Sequence, residues 1–185
     1  TFKANYSSRQ PIIYAGANDG MLHAFNADTG AEEFAYIPNA LYETLPDLAD
    51  PNYGHNFYVD GSPTVVDAFF AGDNAWHTVL VSGLRGGGQG IFAIDVTNTG
   101  SDDSTVSNNF STETSAATKV LWEFTDKDDV DLGYTFGQPS IVRLQNGVWA
   151  AVFSGGYNNT VDNDADGGLT NDSTTGDAVL YIVNI

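Results

Sequence analysis

"GSPTVVDAFFAGDNAWHTVLVSGLRGGGQGIFAIDVTNTG" runs from Gly61 to Gly100. It holds three short runs rich in Val, Ile, Phe and Thr, parted by Gly, Asp and Asn. Such runs between such residues are strand and hairpin signals. The expected strands are Ser62–Phe70, His77–Ser82 and Gly90–Val96. A fourth, Lys119–Phe124, follows a polar stretch at 98–118. Four antiparallel strands in a row make one blade of a β-propeller.

The pattern recurs on both sides. "IIYAGANDGMLHAFNADTG" from Ile12 reads as strand, glycine turn and strand, and so does "AAVFSGGYNN" from Ala150 with "GDAVLYIVNI" from Gly176. By this alignment Gly16, Gly83 and Gly155 hold one place in each unit, and Asp28-Thr29-Gly30 corresponds to Asp95-Val96-Thr97. "GSPTVVDAFF" matches "GQPSIVRLQNG" from Gly137, and each precedes a strand led by a Trp, Trp76 or Trp149. The repeat extends the strands to Ile12–Gly16, Met21–Asn26 and Glu33–Ile37 before the central unit. After it come Pro139–Leu144, Val148–Ser154 and Ala178–Ile185. Self-similarity at a period of about 70 residues marks a repeat architecture.

The expected fold is therefore all-β: an incomplete β-propeller of roughly two and a half four-stranded blades, where closed propellers have about four to eight. All of 1–185 reads as one fragment of a larger propeller domain, which further chain or a partner would complete. The segments outside the blades are a polar N-terminal stretch (1–10), an inter-blade insertion (38–56), the polar loop (98–118) and an acidic loop (156–177). In the insertion, "PNALYETLPDL" predicts one short helix, capped by Asn39 and ended by Pro46.

The chain carries 24 Asp and Glu against 6 Lys and Arg, a formal net charge of −18, with no Cys. Phosphate-led nucleic-acid binding needs basic patches, so that class is set aside. Without Cys there are no disulfides, thiolate metal sites or Cys nucleophile. No apolar run approaches the roughly 20 residues of a membrane-spanning helix.

"VDNDADGGLTND" (161–172) concentrates this charge. Asp162, Asp164, Asp166 and Gly167 follow the first half of a calcium loop, D-x-D-x-D-G. Alternate residues of a tight loop aim oxygens inward, and a hard cation takes six to eight of them. The Gly168 carbonyl would supply another. The twelfth position is Ser173, not Glu, so Asp172 or Asp177 would complete the shell. The expected cofactor is Ca2+ on Asp162, Asp164, Asp166, Gly168, Asp172 and Asp177; a solvated acidic loop is the alternative. A second acidic run, Asp126, Asp128, Asp129 and Asp131, reads as a turn. Gly88-x-Gly90-x-x-Ala93 lacks the helix that a dinucleotide fingerprint needs after its glycines. It reads as a hairpin turn. His23, His55 and His77 are not at zinc spacing. His23 reads as structural.

"YIPNALYETLPDLADPNYGHNFYVDGSPTVVDAFF" (36–70), "WHTVLVSGLRGGGQGIFAIDVT" (76–97), "DLGYTFGQPSIVRL" and the last strand together resemble the PilC/PilY family of type IV pilus biogenesis and tip proteins. The resemblance covers nearly the whole chain from about Pro11. It implies a modified β-propeller in an extracellular protein of the bacterial surface or pilus tip, associated with the outer membrane. It also implies a non-enzymatic role in pilus assembly, retraction control and adhesion. Expected partners are other pilus proteins such as minor pilins, the remainder of its own propeller, and a host or abiotic surface. The family's own calcium loop lies outside this stretch, so the loop at Asp162 is argued from its carboxylates alone. Two rival functions stand beside this reading. "DGMLHAFNADTG" from Asp19 is similar to the repeat of quinoprotein dehydrogenase propellers, and a plain scaffold propeller for envelope assembly would need no cation.

Overall fold

The computed structural model describes residues 2–100, 108–160 and 173–185, and among these ten strands form three antiparallel sheets. The first holds β1 (Ile12–Gly16), β2 (Leu22–Asn26) and β3 (Glu32–Tyr36). The second holds β4 (Thr64–Phe70), β5 (Ala75–Gly83), β6 (Gly90–Asp95) and β7 (Val120–Thr125). The third holds β8 (Ser140–Arg143), β9 (Trp149–Ser154) and β10 (Leu180–Asn184). Each strand pairs with its neighbour in sequence, so every sheet is a meander. All the strands expected from the repeat are present, with ends shifted by two residues at most.

Burial explains why the central strands read as continuous apolar runs. The second sheet is covered on both faces. Val79, Val81, Ile91 and Ala93 pack with Ile141, Ala151, Phe153 and Tyr181 of the third sheet. Leu80, Phe92 and Ile94 face the other way and pack with Leu22 of the first. Alternation disappears when both faces are inside, as in any sandwiched sheet. Each large side chain removed from water in these two cores contributes about 1.5–3 kcal/mol.

Register refines the repeat. The central ladders close on the pairs Gly16–Leu22, Gly83–Ile91 and Ser154–Leu180. Ser154 therefore holds the place of Gly16 and Gly83, and Gly155 lies one residue beyond; the sequence alignment was one residue out in the third unit. The same count aligns Asn26 with Asp95 and Asn184 in place of Asp28. The chemistry agrees, because Asn26 Oδ1 accepts from the amides of Asp28 and Thr29, and Asp95 Oδ1 from the Thr97 amide. A register shift follows Ala24 in the first sheet and its counterpart Ala93 in the second. Leu22 and Ile91 are 0% and 2% exposed, whereas their counterpart Leu180 is 65% exposed, because no sheet among the described residues covers that face of the third.

The insertion differs from expectation. It forms two 3-10 helices, Asn39–Leu41 and Leu45–Ala49, and no α-helix. Asn39 does not cap, and Pro46 lies in the first turn of the second helix. That position suits proline, whose missing N–H has no partner to lose there. Two short α-helices lie elsewhere: α1 (Phe2–Asn5) in the N-terminal stretch and α2 (Glu113–Ala117) in the polar loop. Thr112 Oγ1 caps α2 by accepting from the Ser115 amide at 3.2 Å. The N-terminal stretch ties two sheets together. Arg9 Nη1 donates to Thr78 Oγ1 at 2.7 Å, and Gln10 Nε2 to Glu33 Oε1 at 2.5 Å. No helix among the described residues is long and apolar enough to cross a membrane.

Candidate functional site

Antiparallel meanders sort their connections by end. The β1–β2, β5–β6 and β9–β10 connections leave one end, and so do the β3–β4 and β7–β8 linkers between sheets. Hydrogen bonds join them there. The Val59 amide donates to the Ala17 carbonyl, Asp60 to Leu84, and Tyr134 to Tyr157. The insertion, the glycine-rich turn, the second acidic run and the described ends of the acidic loop therefore belong to this one loop end.

Close crossings there require glycine. A Cβ on Gly61 would overlap the Gly83 carbonyl, and one on Gly87 would overlap the Tyr58 carbonyl. A Cβ on Gly83 would lie 2.6 Å from Thr135 Oγ1 and 2.8 Å from the Thr135 carbonyl oxygen. Thr135 Oγ1 in turn donates to the Gly90 carbonyl at 2.8 Å and accepts from the Arg85 amide at 3.2 Å. The linker into the third sheet is thus locked across the glycine-rich turn of the second.

Arg85 stands at this lock. Its φ is 53°, in the left-handed region that costs a residue with a Cβ about 1–2 kcal/mol. Its guanidinium lies over the Phe136 ring, 5.7 Å from the centroid. Its Nε is buried without an acceptor among the described residues. A cavity of about 230 Å³ opens beside it, lined by Ser62, Gly83, Thr135, Gly137 and Gln138 among others. Half-exposed Phe136 also lines it, and the more exposed Tyr157 lies against Phe136 with ring centroids 6.1 Å apart.

Two histidines are each held between two carboxylates. His23 Nε2 meets Asp19 Oδ2 at 2.9 Å and Nδ1 meets Glu32 Oε1 at 2.6 Å. His77 Nε2 meets Asp73 Oδ2 and Nδ1 meets Asp95 Oδ2, both at 2.9 Å. Burial works against charge on His23, but the hydrogen bonds and attraction of Glu32 and Asp19 outweigh it, so its pKa is raised. The hydrogen bond from His77 holds the Asp73 carboxyl below its ordinary range. Both imidazoles are fully engaged, as the structural reading of His23 expects.

Of the expected calcium ligands, Asp162, Asp164, Asp166, Gly168 and Asp172 lie outside the described residues. Asp177 is exposed, and its carbonyl accepts from Asn159 Nδ2 at 3.2 Å. The two ends of the acidic loop are tied to the second acidic run. Asn159 Nδ2 also donates to the Asp131 carbonyl at 3.1 Å, and Ser173 Oγ to Asp131 Oδ1 at 2.5 Å. The sequence kept these runs apart, and the structure brings Asp131 to the root of the acidic loop. The rest of the second run forms the turn expected of it: Asp128 Oδ2 accepts from the Thr125 amide, and Asp129 Oδ1 from the Asp131 amide. No group of three or more His, Asp or Glu suited to a metal occurs among the described residues.

Comparison with known proteins agrees with this architecture. A family model described as the PilY1 beta-propeller domain matches residues 1–181. The chain belongs to the PilY1 β-propeller family. It is 47% identical over 167 residues to the type IV pilus biogenesis factor PilY1 of Pseudomonas aeruginosa (strain UCBPP-PA14), covering 89% of this chain and 13% of that protein. It is 46% identical over 173 residues to a PilY1 homolog of Xylella fastidiosa, covering 94% of this chain and 10% of that protein. The crystal structure of the Pseudomonas aeruginosa PilY1 C-terminal domain matches with a TM-score of 0.68 at 40% identity, over 100% of this chain and 30% of that one. The chain thus spans a small part of the PilY1 proteins it matches. The propeller expected from the four-strand repeat is the fold of this family. Arg85 and its cavity went unremarked in the sequence, where the glycines around it read only as a turn. The signal available was a bulky cation set among glycines.

Proposed function

We propose that this propeller segment serves a non-enzymatic pilus-biogenesis protein at the cell surface, where it supports type IV pilus assembly, opposes retraction and contributes to adhesion. The observation that carries the reading is the 47% identity to a PilY1 protein named as a pilus biogenesis factor, spread over 89% of the chain. The loop end suits contact with other proteins, since long connections on a rigid scaffold are where binding residues gather. Pilus proteins such as minor pilins, and the remainder of the propeller, are the proposed partners. The test is genetic. Cells producing the full-length protein without residues 61–125 should lose surface pili, and should regain them when pilus retraction is disabled. Unchanged piliation would overturn the reading, and loss that persists without retraction would remove the retraction part.

Calcium at Asp162, Asp164, Asp166, Gly168, Asp172 and Asp177 is proposed as a modulator of the loop end. Neutralising close carboxylates and ordering a long loop are the physical gains, and binding to the folded form alone stabilises it. Calorimetric titration of the full-length protein and of Asp164→Ala tests this, with one fewer equivalent of Ca2+ expected in the variant. Equal uptake by both would sink the site.

A further inference from the structure

We propose that the cavity beside Arg85 is a carboxylate-binding site. Several of the groups that line it are donors without an acceptor. Among the described residues, the Arg85 guanidinium has no ion pair and no hydrogen-bond acceptor, and its Nε is shut away from water. Ser62, Gly137 and Gln138 line the same cavity, and their backbone amides donate to no described group. Of the side-chain oxygens at its wall, Thr135 Oγ1 already accepts from the Arg85 amide.

The backbone holds the guanidinium in place. Arg85 has φ 53° between a locked amide and three glycines, and its side chain lies across Phe136. A planar fork fixed against an aromatic face suits two-point recognition of a carboxylate. Charge argues for a monoanion. The chain carries −18, so a phosphate dianion would meet about twice the repulsion of a carboxylate while gaining one cation. The cavity, about 230 Å³, takes a carboxylate and the atoms next to it. Phe136 and Tyr157, 6.1 Å apart between ring centroids, offer apolar surface to what carries it. The carboxylate comes either from another segment of the longer polypeptide or from a separate molecule.

Phenylglyoxal labelling of the full-length protein, read at each arginine by peptide mass spectrometry, tests this. Exposed Arg143 is the internal reference. The probe is N-acetylglycine, its neutral twin is N-acetylglycinamide, and inorganic phosphate is the third arm. If the site is open to a separate molecule, N-acetylglycine slows labelling of Arg85 about tenfold at about ten times its Kd. The amide, phosphate and Arg143 show no such effect. If the longer polypeptide already fills the site, Arg85 labels slowly from the start and speeds up after carbodiimide converts the protein's carboxylates to amides. The proposal is overturned if Arg85 labels like Arg143 and ignores N-acetylglycine, or if amide or phosphate protects it equally. It is also overturned if Arg85 stays slow after amidation.

Discussion

Gly83→Ala tests the lock between the second and third sheets. The new Cβ would lie 2.6 Å from Thr135 Oγ1, 2.8 Å from the Thr135 carbonyl oxygen and 2.9 Å from Thr135 Cβ. None of these is the loose end of a flexible chain, so the linker itself must move. Overpacking of this kind costs about 1–3 kcal/mol. Displacing Thr135 also strains its bonds to the Gly90 carbonyl and the Arg85 amide, at about 1 kcal/mol each. The sum is about 3–5 kcal/mol of local stability, or roughly a hundredfold to a few thousandfold in opening. Hydrogen exchange read by mass spectrometry on the full-length protein reports it, since exchange follows local opening. Peptides covering 83–91 and 133–139 should exchange faster by that factor. Gly72→Ala, whose Cβ would meet nothing within 4 Å, should leave them unchanged. Wild-type exchange in Gly83→Ala would refute the claim that this crossing holds the sheets together.

Tyr36→Phe removes the hydroxyl that donates to Glu123 across two sheets, while the Asn39 amide keeps its 2.8 Å bond to the same oxygen. A hydrogen bond to a charged group is involved, so the local loss should be about 1.5–3 kcal/mol, read as faster exchange over 34–40. Phe92→Ala empties a site that is 1% exposed and should cost about 3–5 kcal/mol, lowering the melting temperature of the domain. Because the pKa of His23 is raised above 6.5, its clamp stabilises fully below about pH 6.5 and is lost as pH rises through the higher folded value. Asp19 and Glu32 are about half exposed, so screening limits this to about 1 kcal/mol or less. Exchange over 19–32 should quicken modestly between pH 6 and pH 8.5, and His23→Gln should abolish the dependence.

The strands were legible because their signal is local: β-branched and aromatic runs ended by Gly, Asn and Asp. Register was less so. "SGG" at Ser154–Gly156 offers two glycines, and choosing Gly155 as the counterpart of Gly83 needed the Leu180 pairing that only the ladder supplies. In the insertion, Asn39 and Pro46 are helix signals in kind, but the segment wraps over Leu84 and Tyr58 in tight single turns, and tertiary packing overrode them. The acidic loop was visible as composition, yet its ties to Asp131 depend on Asn159 and Ser173, residues with no signal of their own. Arg85 meets Phe136 only because the β7–β8 linker returns over the β5–β6 turn. Proximity of that kind is not written in either segment alone.

The uncovered side of the third sheet has a practical consequence. Leu180 and Ile182 are 65% and 56% exposed there, while Ile13 on the opposite flank of the first sheet is 55% exposed. These two flanks are the unlike halves of a contact the molecule already makes twice internally. A polypeptide limited to these residues would stack head to tail, and because that rotation joins unlike surfaces it yields open-ended chains unless the turn happens to close. Purified alone it should grow heavier with concentration, and with salt, which screens the −18 that otherwise keeps copies apart.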